Sequence, residues 1–307
     1  MEMHQQLFTL PSRHDSLTLS VLAISPEEPR AVVQLAHGMC EHKERYLPFM
    51  RCLAEHGYAC VINDHRGHGA SVKDPEDLGY FYDGGAEALI DDMRLVAEEI
   101  GRRYPDLPIA LFGHSMGSLA VRAYTKRYDR DIKALVVCGS PSASAFAGTL
   151  QALDGLLIRA KGGHSRSDVV DAVFGAALES RFRHEGVANS WICSDRAVVD
   201  AYNADPLCGF TFTLNGYRAL LALLADAYSA DGWHCKNPGL PIRFLSGAND
   251  PCMVSRAAFG KAVEAMRNMG YVNVTSRLFE GMRHEILNET GHQAVYEDIL
   301  ALLDECL

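Results

Sequence analysis

A Gly-x-Ser-x-Gly pattern spans residues 113–117, and such a pattern can present an activated serine in a sharp turn. Ser115 is its central residue, with Gly113 two positions before it and Gly117 two positions after it. A serine hydroxyl is a poor nucleophile at neutral pH unless a histidine removes its proton and a carboxylate orients that histidine. The chemistry suggested here is therefore acyl transfer, provided that an acid and a base lie elsewhere in the chain.

The residues around the pattern provide the setting that such a serine needs. The apolar run Ile109–Phe112 precedes it, and Leu119–Tyr128 follows with apolar residues at helical spacing. A strand that turns directly into a helix would lift the hydroxyl above the sheet, and the two glycines would let the backbones approach closely. The similar stretch 163–167, GHSRS, lacks a second glycine and a preceding strand, so we exclude it.

An acid and a base follow in the order serine, acid, histidine. Asp250 lies in SGANDPC after the predicted strand Ile242–Ser246, and His284 lies in EGMRHEIL after the predicted strand Asn273–Leu278. Because the carboxyl ends of parallel strands share one edge of a sheet, both side chains are expected to meet Ser115 there.

Rival residues have weaker positions. Asp226 and Asp231 belong to a predicted helix and its exit, away from the strand ends. His292 falls at the start of the last predicted helix, where a capping or surface role is expected. These positions favour Asp250 and His284 as the acid and the base.

Acyl transfer also needs two hydrogen-bond donors for the tetrahedral oxyanion. The Met116 N–H follows the serine directly, and the flexible Gly38 would let the Met39 N–H point inwards from the loop after an early strand. His37 in that loop is expected to be a structural turn residue. Glu41, His42 and Arg45 either touch polar substrate groups or form a solvated loop face.

The loop NDHRGHGAS invites a metal hypothesis because it holds Asp64, His65 and His68. A second cluster of ligands with suitable spacing is missing from the sequence, so we predict a hydrogen-bonded loop instead. Asp64 and Arg66 are expected to brace the neighbouring oxyanion loop. Neither a metal nor a cofactor is expected.

Eight short apolar runs alternate with helical patterns, which is typical of an α/β fold with a mainly parallel sheet flanked by helices. The first two strands are expected to form an antiparallel hairpin at one edge. The predicted strands are Gln6–Leu10, Thr18–Ala23, Ala31–Ala36, Tyr58–Asn63, Ile109–Phe112, Ala134–Cys138, Ile242–Ser246 and Asn273–Leu278. The predicted core helices are Tyr46–His56, Ala86–Tyr104, Leu119–Tyr128, Arg256–Met269 and Gln293–Cys306.

Residues 141–235 break this alternation, since they contain helical patches and no convincing buried strand. We predict a helical cap inserted between core strands, over a core formed by residues 1–140 and 236–307. The patches are Leu150–Ala160, Val169–Leu178 and Tyr217–Tyr228. The first could touch lipid, but packing against the sheet is the commoner reason for such spacing.

Composition excludes several classes of protein. The 307 residues are 48% hydrophobic and 22% charged, as in ordinary globular proteins, and the net charge of −10 disfavours nucleic acid as a partner. The nine scattered cysteines do not resemble a disulfide framework or a zinc site. We find no secretion signal and no apolar run of eighteen residues, so a cytoplasmic location is expected.

Four blocks together resemble the α/β-hydrolase superfamily, in particular its monoacylglycerol lipase and lysophospholipase group of serine aminopeptidase-like hydrolases. They are HGMCEHKERY, NDHRGHGAS, GHSMGS and GMRHEILNE, with GANDP between the last two. The resemblance implies a triad of Ser115, Asp250 and His284, with Met39 and Met116 as oxyanion donors. It also implies a helical cap that shapes the acyl pocket.

The expected function is metal-independent hydrolysis of carboxylic esters of small or monoacyl lipids through an acyl-enzyme. Because the base must be neutral, activity should fall in acid. Thioesterase, carbon–carbon bond hydrolase, acyltransferase and aminopeptidase activities fit the same triad, and a ligand-binding protein without turnover is a further alternative. Membrane contact is expected to be peripheral at most, through the cap, and the oligomeric state is left open.

Overall fold

Strands and helices alternate along most of the chain. A computed structural model describes residues 3–143 and 147–307. The strands are β1 (Met3–Pro11), β2 (Thr18–Pro26), β3 (Ala31–Ala36), β4 (Tyr58–Asn63), β5 (Ile109–His114), β6 (Ala134–Cys138), β7 (Ile242–Gly247) and β8 (Val274–Phe279). The α-helices are α1 (Leu47–Glu55), α2 (Gly85–Arg103), α3 (Met116–Tyr128), α4 (Ala147–Lys161), α5 (Asp168–Glu179), α6 (Arg196–Ala204), α7 (Leu214–Tyr228), α8 (Arg256–Asn268) and α9 (Gln293–Cys306).

One eight-stranded sheet runs through the molecule in the order β1-β2-β4-β3-β5-β6-β7-β8. β1 and β2 pair antiparallel at the edge, β2 pairs antiparallel with β4, and every pair from β4–β3 to β7–β8 is parallel. The predicted edge hairpin and mainly parallel sheet are thus confirmed. The central strands are continuous apolar runs because helices cover both faces of the sheet.

Alternate strand residues enter the two helical layers. Phe112 in β5 packs among residues of α1 and α9, whereas Leu111 packs among residues of α2, α3, α7 and α8. Successive side chains of a strand point to opposite faces, so a short apolar run can supply both layers. This packing fixes the carboxyl ends of β5, β7 and β8, from which the candidate residues project.

Helices α4 to α7 lie between β6 and β7, in the part of the chain where the sequence predicts a cap. We call residues 141–235 the helical insertion. Residues 144–146 of the insertion lie outside the described residues. The rest of the insertion contains helices and no strand. Helix α6 was not predicted, because its nine residues bury only Val199 and Tyr202.

Helix α4 has one packed face and one exposed face. Leu157 and Ile158 pack against the core. The main neighbour of α4 is helix α7, and not the sheet that the sequence analysis predicted for this patch. Leu153 and Leu156 are exposed, Leu156 to 63%, so apolar side chains of α4 remain at the surface.

The cysteines and helix lengths add two observations. All nine cysteines are free thiols. Across the described residues, every helix is too short or too polar to cross a bilayer.

Candidate active site

Ser115 occupies a strained turn between β5 and α3. Its backbone has φ 53° and ψ −117°, a conformation that non-glycine residues rarely adopt. Its N–H donates to Cys138 O over 2.9 Å, which ties the turn to β6. Strain of this kind persists only where the surrounding structure imposes it, and it is concentrated at functional sites.

Both glycines of the pattern are required by close backbone approach. A Cβ atom on Gly113 would lie 2.4 Å from Gly117 O, and one on Gly117 would lie 2.1 Å from Ala36 O. Neither distance leaves room for a side chain. Both glycines are therefore needed because β3, β5 and α3 pack closely around Ser115.

Asp250 and His284 meet at the ends of β7 and β8. His284 Nδ1 lies 3.0 Å from Asp250 Oδ2, which also accepts a hydrogen bond from the Ser246 hydroxyl at 3.0 Å. Asp250 Oδ1 accepts the Cys252 N–H at 2.8 Å. Burial raises the pKa of Asp250, but the His284 imidazole and these donors outweigh burial and hold that pKa below its ordinary value.

Ser115 and His284 line the same cavity, whose volume is about 280 Å³. Asp250 engages Nδ1 of His284, so Nε2 is the nitrogen left to accept a proton. Ser115 Oγ makes no hydrogen bond to a described residue, and Cys252 Sγ lies 4.0 Å from His284 Nε2. Catalytic hydrogen bonds are often long before substrate binds, so the arrangement is compatible with proton transfer.

Two aromatic rings hold the His284 imidazole from its sides. The Trp191 ring centroid lies 4.9 Å away and the His114 ring centroid 4.6 Å away. His114 Nε2 also lies 3.3 Å from His284 O. The base is thus positioned by the helical insertion through Trp191 and by the elbow through His114.

The two predicted oxyanion donors have unused N–H groups. Within the described chain, neither Met39 N–H nor Met116 N–H has an acceptor, and Met116 begins α3, where the helix dipole favours negative charge. Gly38 N–H is used differently, since it donates to Glu41 Oε1 at 2.6 Å. A Cβ atom on Gly38 would also lie 2.6 Å from that oxygen, so this loop requires glycine.

His37 has both ring nitrogens occupied. Nδ1 lies 2.7 Å from Gly38 O, and Nε2 accepts the His65 N–H at 2.9 Å. Burial, with His65 and His68 nearby, lowers the pKa of His37 well below its ordinary value. Both ring nitrogens of the imidazole therefore contact backbone groups of the neighbouring loops.

A buried charge network beside the site was missed by the sequence analysis. Glu41 accepts hydrogen bonds from Gly38 N–H and from Arg45 at 2.7 Å, and His114 Nδ1 lies 3.3 Å from it. Arg45 also pairs with both oxygens of Glu285. Although burial raises the pKa of Glu41, its partners His114 and Arg45 hold that pKa well below the ordinary range. The four-residue spacing of Glu41 and Arg45 was the available signal for their pairing.

Asp64 and Arg66 have different roles, although the sequence predicted one shared role. Asp64 accepts hydrogen bonds from Lys43 N at 2.9 Å and Lys43 Nζ at 2.6 Å, so it braces the oxyanion loop as predicted. Arg66 instead donates to Asp92 on α2 and to Asp15 near the first hairpin, both at 2.9 Å. The prediction for Arg66 was wrong because its long side chain reaches away from the loop.

Two groups of possible metal ligands occur among the described residues. One is the acid and base pair together with Cys252. The other joins His42, Asp205 and Cys208, but His42 already contacts Asp205 at 2.9 Å and Glu44 at 2.7 Å. Burial lowers the pKa of His42, but hydrogen bonds to Cys208, Glu44 and Asp205 raise it to about 10. In this arrangement the His42 ring joins the carboxylates of Glu44 and Asp205 in an ion-pair network.

The rival residues lie in ordinary structural contacts. Asp226 pairs with Lys126 and Arg127, at 2.7 and 2.9 Å. His292 Nδ1 lies 2.7 Å from Glu289 O at the start of α9. Neither residue lines the cavity that contains Ser115.

Comparison with known proteins yields a family match and several relatives. A sequence profile described as "Serine aminopeptidase, S33" matches residues 27–291. A monoacylglycerol lipase of Mycolicibacterium smegmatis is 27% identical, covering 89% of this chain and 87% of that protein. Phospholipase YtpA of Bacillus subtilis is 24% identical, covering 91% and 97%.

Solved structures share the fold. A thermostable carboxyl esterase from Bacillus coagulans superposes with a TM-score of 0.90 at 24% identity, covering 99% of both chains. A soluble variant of the monoglyceride lipase from Saccharomyces cerevisiae has a TM-score of 0.76 at 18% identity, covering 99% and 97%.

Proposed function

The chain belongs to the serine aminopeptidase S33 family, and from that premise we propose that it cleaves carboxylic esters of small or monoacyl lipids through an acyl-enzyme. The resemblance to the monoacylglycerol lipase and lysophospholipase group of α/β-hydrolases is confirmed, and the protein is a carboxylic ester hydrolase. One observation carries the proposed mechanism. The strained Ser115 shares a cavity with an imidazole whose other nitrogen is bound to a buried carboxylate.

In the proposed acylation step, Ser115 Oγ attacks the ester carbonyl carbon while His284 Nε2 accepts the hydroxyl proton. The carbonyl electron pair moves onto oxygen, and collapse of the intermediate breaks the bond to the alcohol. His284 returns its proton to the leaving alcohol, and Asp250 stabilises the imidazolium that forms in between. Water then repeats the sequence on the acyl-enzyme and releases the acid.

The developing oxyanion would be held by the N–H groups of Met39 and Met116. Both N–H groups lack an acceptor in the described chain, so binding the oxyanion would not require either to give up a partner. Loss of one such donor typically lowers the rate by about 10² to 10³. Glu41 would support this arrangement by fixing Gly38, the residue before Met39.

We further propose that residues 141–235 act as a cap that selects the substrate, over a core of residues 1–140 and 236–307. Residues of α5 and of the loop before α7 line the cavity together with Ser115. Exposed apolar side chains on α4 and α5 would allow peripheral contact with lipid. They are Leu153, Leu156, Val169 and Val173.

Other activities fit parts of this arrangement. A thioesterase, an acyltransferase or an aminopeptidase could use the same three residues. Two epoxide hydrolases, from Vigna radiata and potato, share the fold, but enzymes of that kind carry an aspartate at the elbow, so Ser115 disfavours this chemistry. The two oxyanion donors argue against a binding protein without turnover.

Labelling with a fluorophosphonate probe tests the nucleophile. The wild-type chain should label, and Ser115→Ala should lose both the label and about 10⁶ of its turnover. Ser165→Ala is the matched control, because Ser165 belongs to the other Gly-His-Ser stretch of the sequence and donates to Lys161 O. Retained labelling of Ser115→Ala, or a rate within tenfold of wild type, would overturn the proposal.

A substrate panel tests the reaction class. It consists of p-nitrophenyl esters of increasing chain length, a monoacylglycerol, a lysophospholipid, an acyl thioester and an aminoacyl amide. The proposal expects the highest kcat/KM among the oxygen esters. A higher value for the thioester or the amide would favour the alternative activities.

A further inference from the structure

One face of helix α5 carries a carboxylate at each end. Asp171, Phe174, Gly175, Leu178 and Glu179 line the cavity that contains Ser115. Their spacing of three and four residues places them on one side of the helix, and all five are half-buried. The opposite side is exposed at Ala172, Val173 and Ala176. The cavity wall is therefore apolar in the middle and acidic at both ends.

Both carboxylates lack a cationic partner among the described residues. Asp171 Oδ1 accepts the Tyr217 hydroxyl at 2.6 Å, and Glu179 Oε1 accepts the Asn189 N–H at 2.6 Å. The second carboxylate oxygen of each accepts no hydrogen bond from a described residue. Lysine and arginine do not occur among the described residues that line the cavity. The other two acids of the cavity wall differ, because Arg45 pairs with both Glu41 and Glu285.

Helix stability does not explain this placement. Glu179 is the last residue of α5, whose last turn has no basic side chain. A carboxylate at a helix C-terminus opposes the helix dipole, which favours a cation there. Asp171 lies near the N-terminus, where the dipole favours it, yet its side chain turns to Tyr217 in the cavity wall.

The two carboxylates also border the outer surface. An open groove there is lined by Asp171, Gly175 and Glu179, together with Arg183 and neighbouring residues. The first three residues line the inner cavity as well. Asp171 and Glu179 therefore border both the cavity and the outer groove.

Aromatic rings surround the same region. The Phe174 and Tyr217 rings stack with centroids 4.7 Å apart, and Trp191 lies across the cavity against His284. Aromatic faces attract ammonium groups, and this attraction is larger where water is excluded. Carboxylates beside aromatic faces provide the chemistry that recognises an alkylammonium cation.

We propose that the preferred substrates are esters that carry a positively charged ammonium group, held in the cavity whose wall contains Asp171 and Glu179. This inference rests on the proposed ester hydrolysis at Ser115. The net charge of −10 would assist the approach of such a substrate. Neutral esters of the same shape would enter without the attraction, and anionic esters would be repelled.

Matched esters test the proposal, because a quaternary ammonium and a tert-butyl group have nearly the same shape. Choline butanoate and 3,3-dimethylbutyl butanoate place the difference on the alcohol side. The 4-nitrophenyl esters of 4-(trimethylammonio)butanoate and 5,5-dimethylhexanoate place it on the acyl side. In at least one pair we expect kcat/KM to be about tenfold higher for the cation, decreasing in high salt.

Variants locate the source of that preference. Asp171→Asn and Glu179→Gln should each lower the cation-to-neutral ratio about threefold, and Glu179→Lys should reverse it. Glu297→Gln removes an exposed carboxylate of α9 outside the cavity and should leave the ratio unchanged. Circular dichroism and the thermal midpoint show which variants remain folded, and Glu179→Gln is available if Asp171→Asn does not fold.

The outcomes separate this inference from the proposed function. If neutral esters are cleaved and Ser115→Ala abolishes that cleavage, ester hydrolysis holds whatever the charge preference. A cation-to-neutral ratio at or below one in both pairs would overturn the ammonium site. So would a wild-type ratio that persists in both the Asp171 and the Glu179 variants. If no ester is cleaved at all, the proposed function fails first.

Discussion

The carboxylates beside Ser115 and three carboxylates of the helical insertion differ in their partners. At the rim of the sheet, Asp250 has three hydrogen-bond donors and Glu41 is paired with Arg45. In the insertion, both carboxylate oxygens of Asp154 are buried without a described partner, and Asp171 and Glu179 form no ion pair with a described residue. The difference suggests separate roles for the two groups of carboxylates.

Proton transfer and oxyanion binding require donors that are already in place, because reorganisation would cost much of the rate. Substrate selection instead depends on differences between ligands, and it benefits from groups that only the right ligand will satisfy. We therefore propose that the rim carries the reaction and that the insertion carries the choice of substrate. Four experiments test this division between the rim and the insertion.

The largest effect is expected from Asp250→Asn at the rim. The amide cannot hold the imidazole in the same tautomer, so kcat should fall by roughly 10⁴. Steady-state rates on a neutral p-nitrophenyl ester measure this, with Asp226→Asn in the insertion as the control. Comparable losses in the two variants would contradict the assignment of catalysis to the rim.

Glycine substitutions compare packing in the two regions. Gly117→Ala would place Cβ 2.1 Å from Ala36 O, and we expect the free energy of unfolding to fall by about 3 kcal/mol. Gly155→Ala in α4 meets nothing within 4 Å and should raise it by about 0.5–1 kcal/mol. Urea unfolding measures both changes. A loss in Gly155→Ala would mean that the insertion is packed as tightly as the rim.

The buried histidines make the rim sensitive to acid. Burial lowers the pKa of His68 to about 4, below the ordinary value near 6.5, so between these pH values the unfolded chain binds more protons. The contribution of neutral His68 to the free energy of unfolding is fully present above pH 6.5, and it is lost as the pH falls towards 4. His68→Phe should lower the slope of unfolding free energy against pH by about 1.4 kcal/mol per unit at most. Urea unfolding at a series of pH values checks this, with the exposed His184→Gln as the control.

Asp154 should give the insertion the opposite response. Burial raises its pKa to about 6, although Arg218 opposes this, so the folded chain holds its proton longer than the unfolded chain. The contribution of protonated Asp154 to the free energy of unfolding is then lost as the pH rises from about 4 to 6. Asp154→Asn should stabilise the protein at pH 7.5 by about 1 kcal/mol, with slower hydrogen exchange in α4. An unchanged exchange rate, equal to that of the exposed control Asp200→Asn, would contradict this account.

The central strands were predictable because short, continuous apolar runs fit only strands that are buried on both faces of a sheet. β3, β4 and β6 have the predicted bounds, since each is an apolar run buried on both faces. β1 extends beyond Gln6–Leu10 to Met3–Pro11 because pairing with β2 adds polar residues to it. Helix α6 was missed because two buried residues give too weak a periodic signal.

The amino-acid sequence alone was enough to recognise the pattern around Ser115, the order of the candidate acid and base, and the strands that carry them. Glycine spacing and apolar periodicity are local properties, so they can be recognised without coordinates. The three-dimensional fold was needed to bring Glu41 and His114 together beside Ser115 and to place Asp171 and Glu179 in the wall of the same cavity. Those contacts join segments far apart in the chain, and whether a carboxylate is paired depends on neighbours that no local pattern specifies.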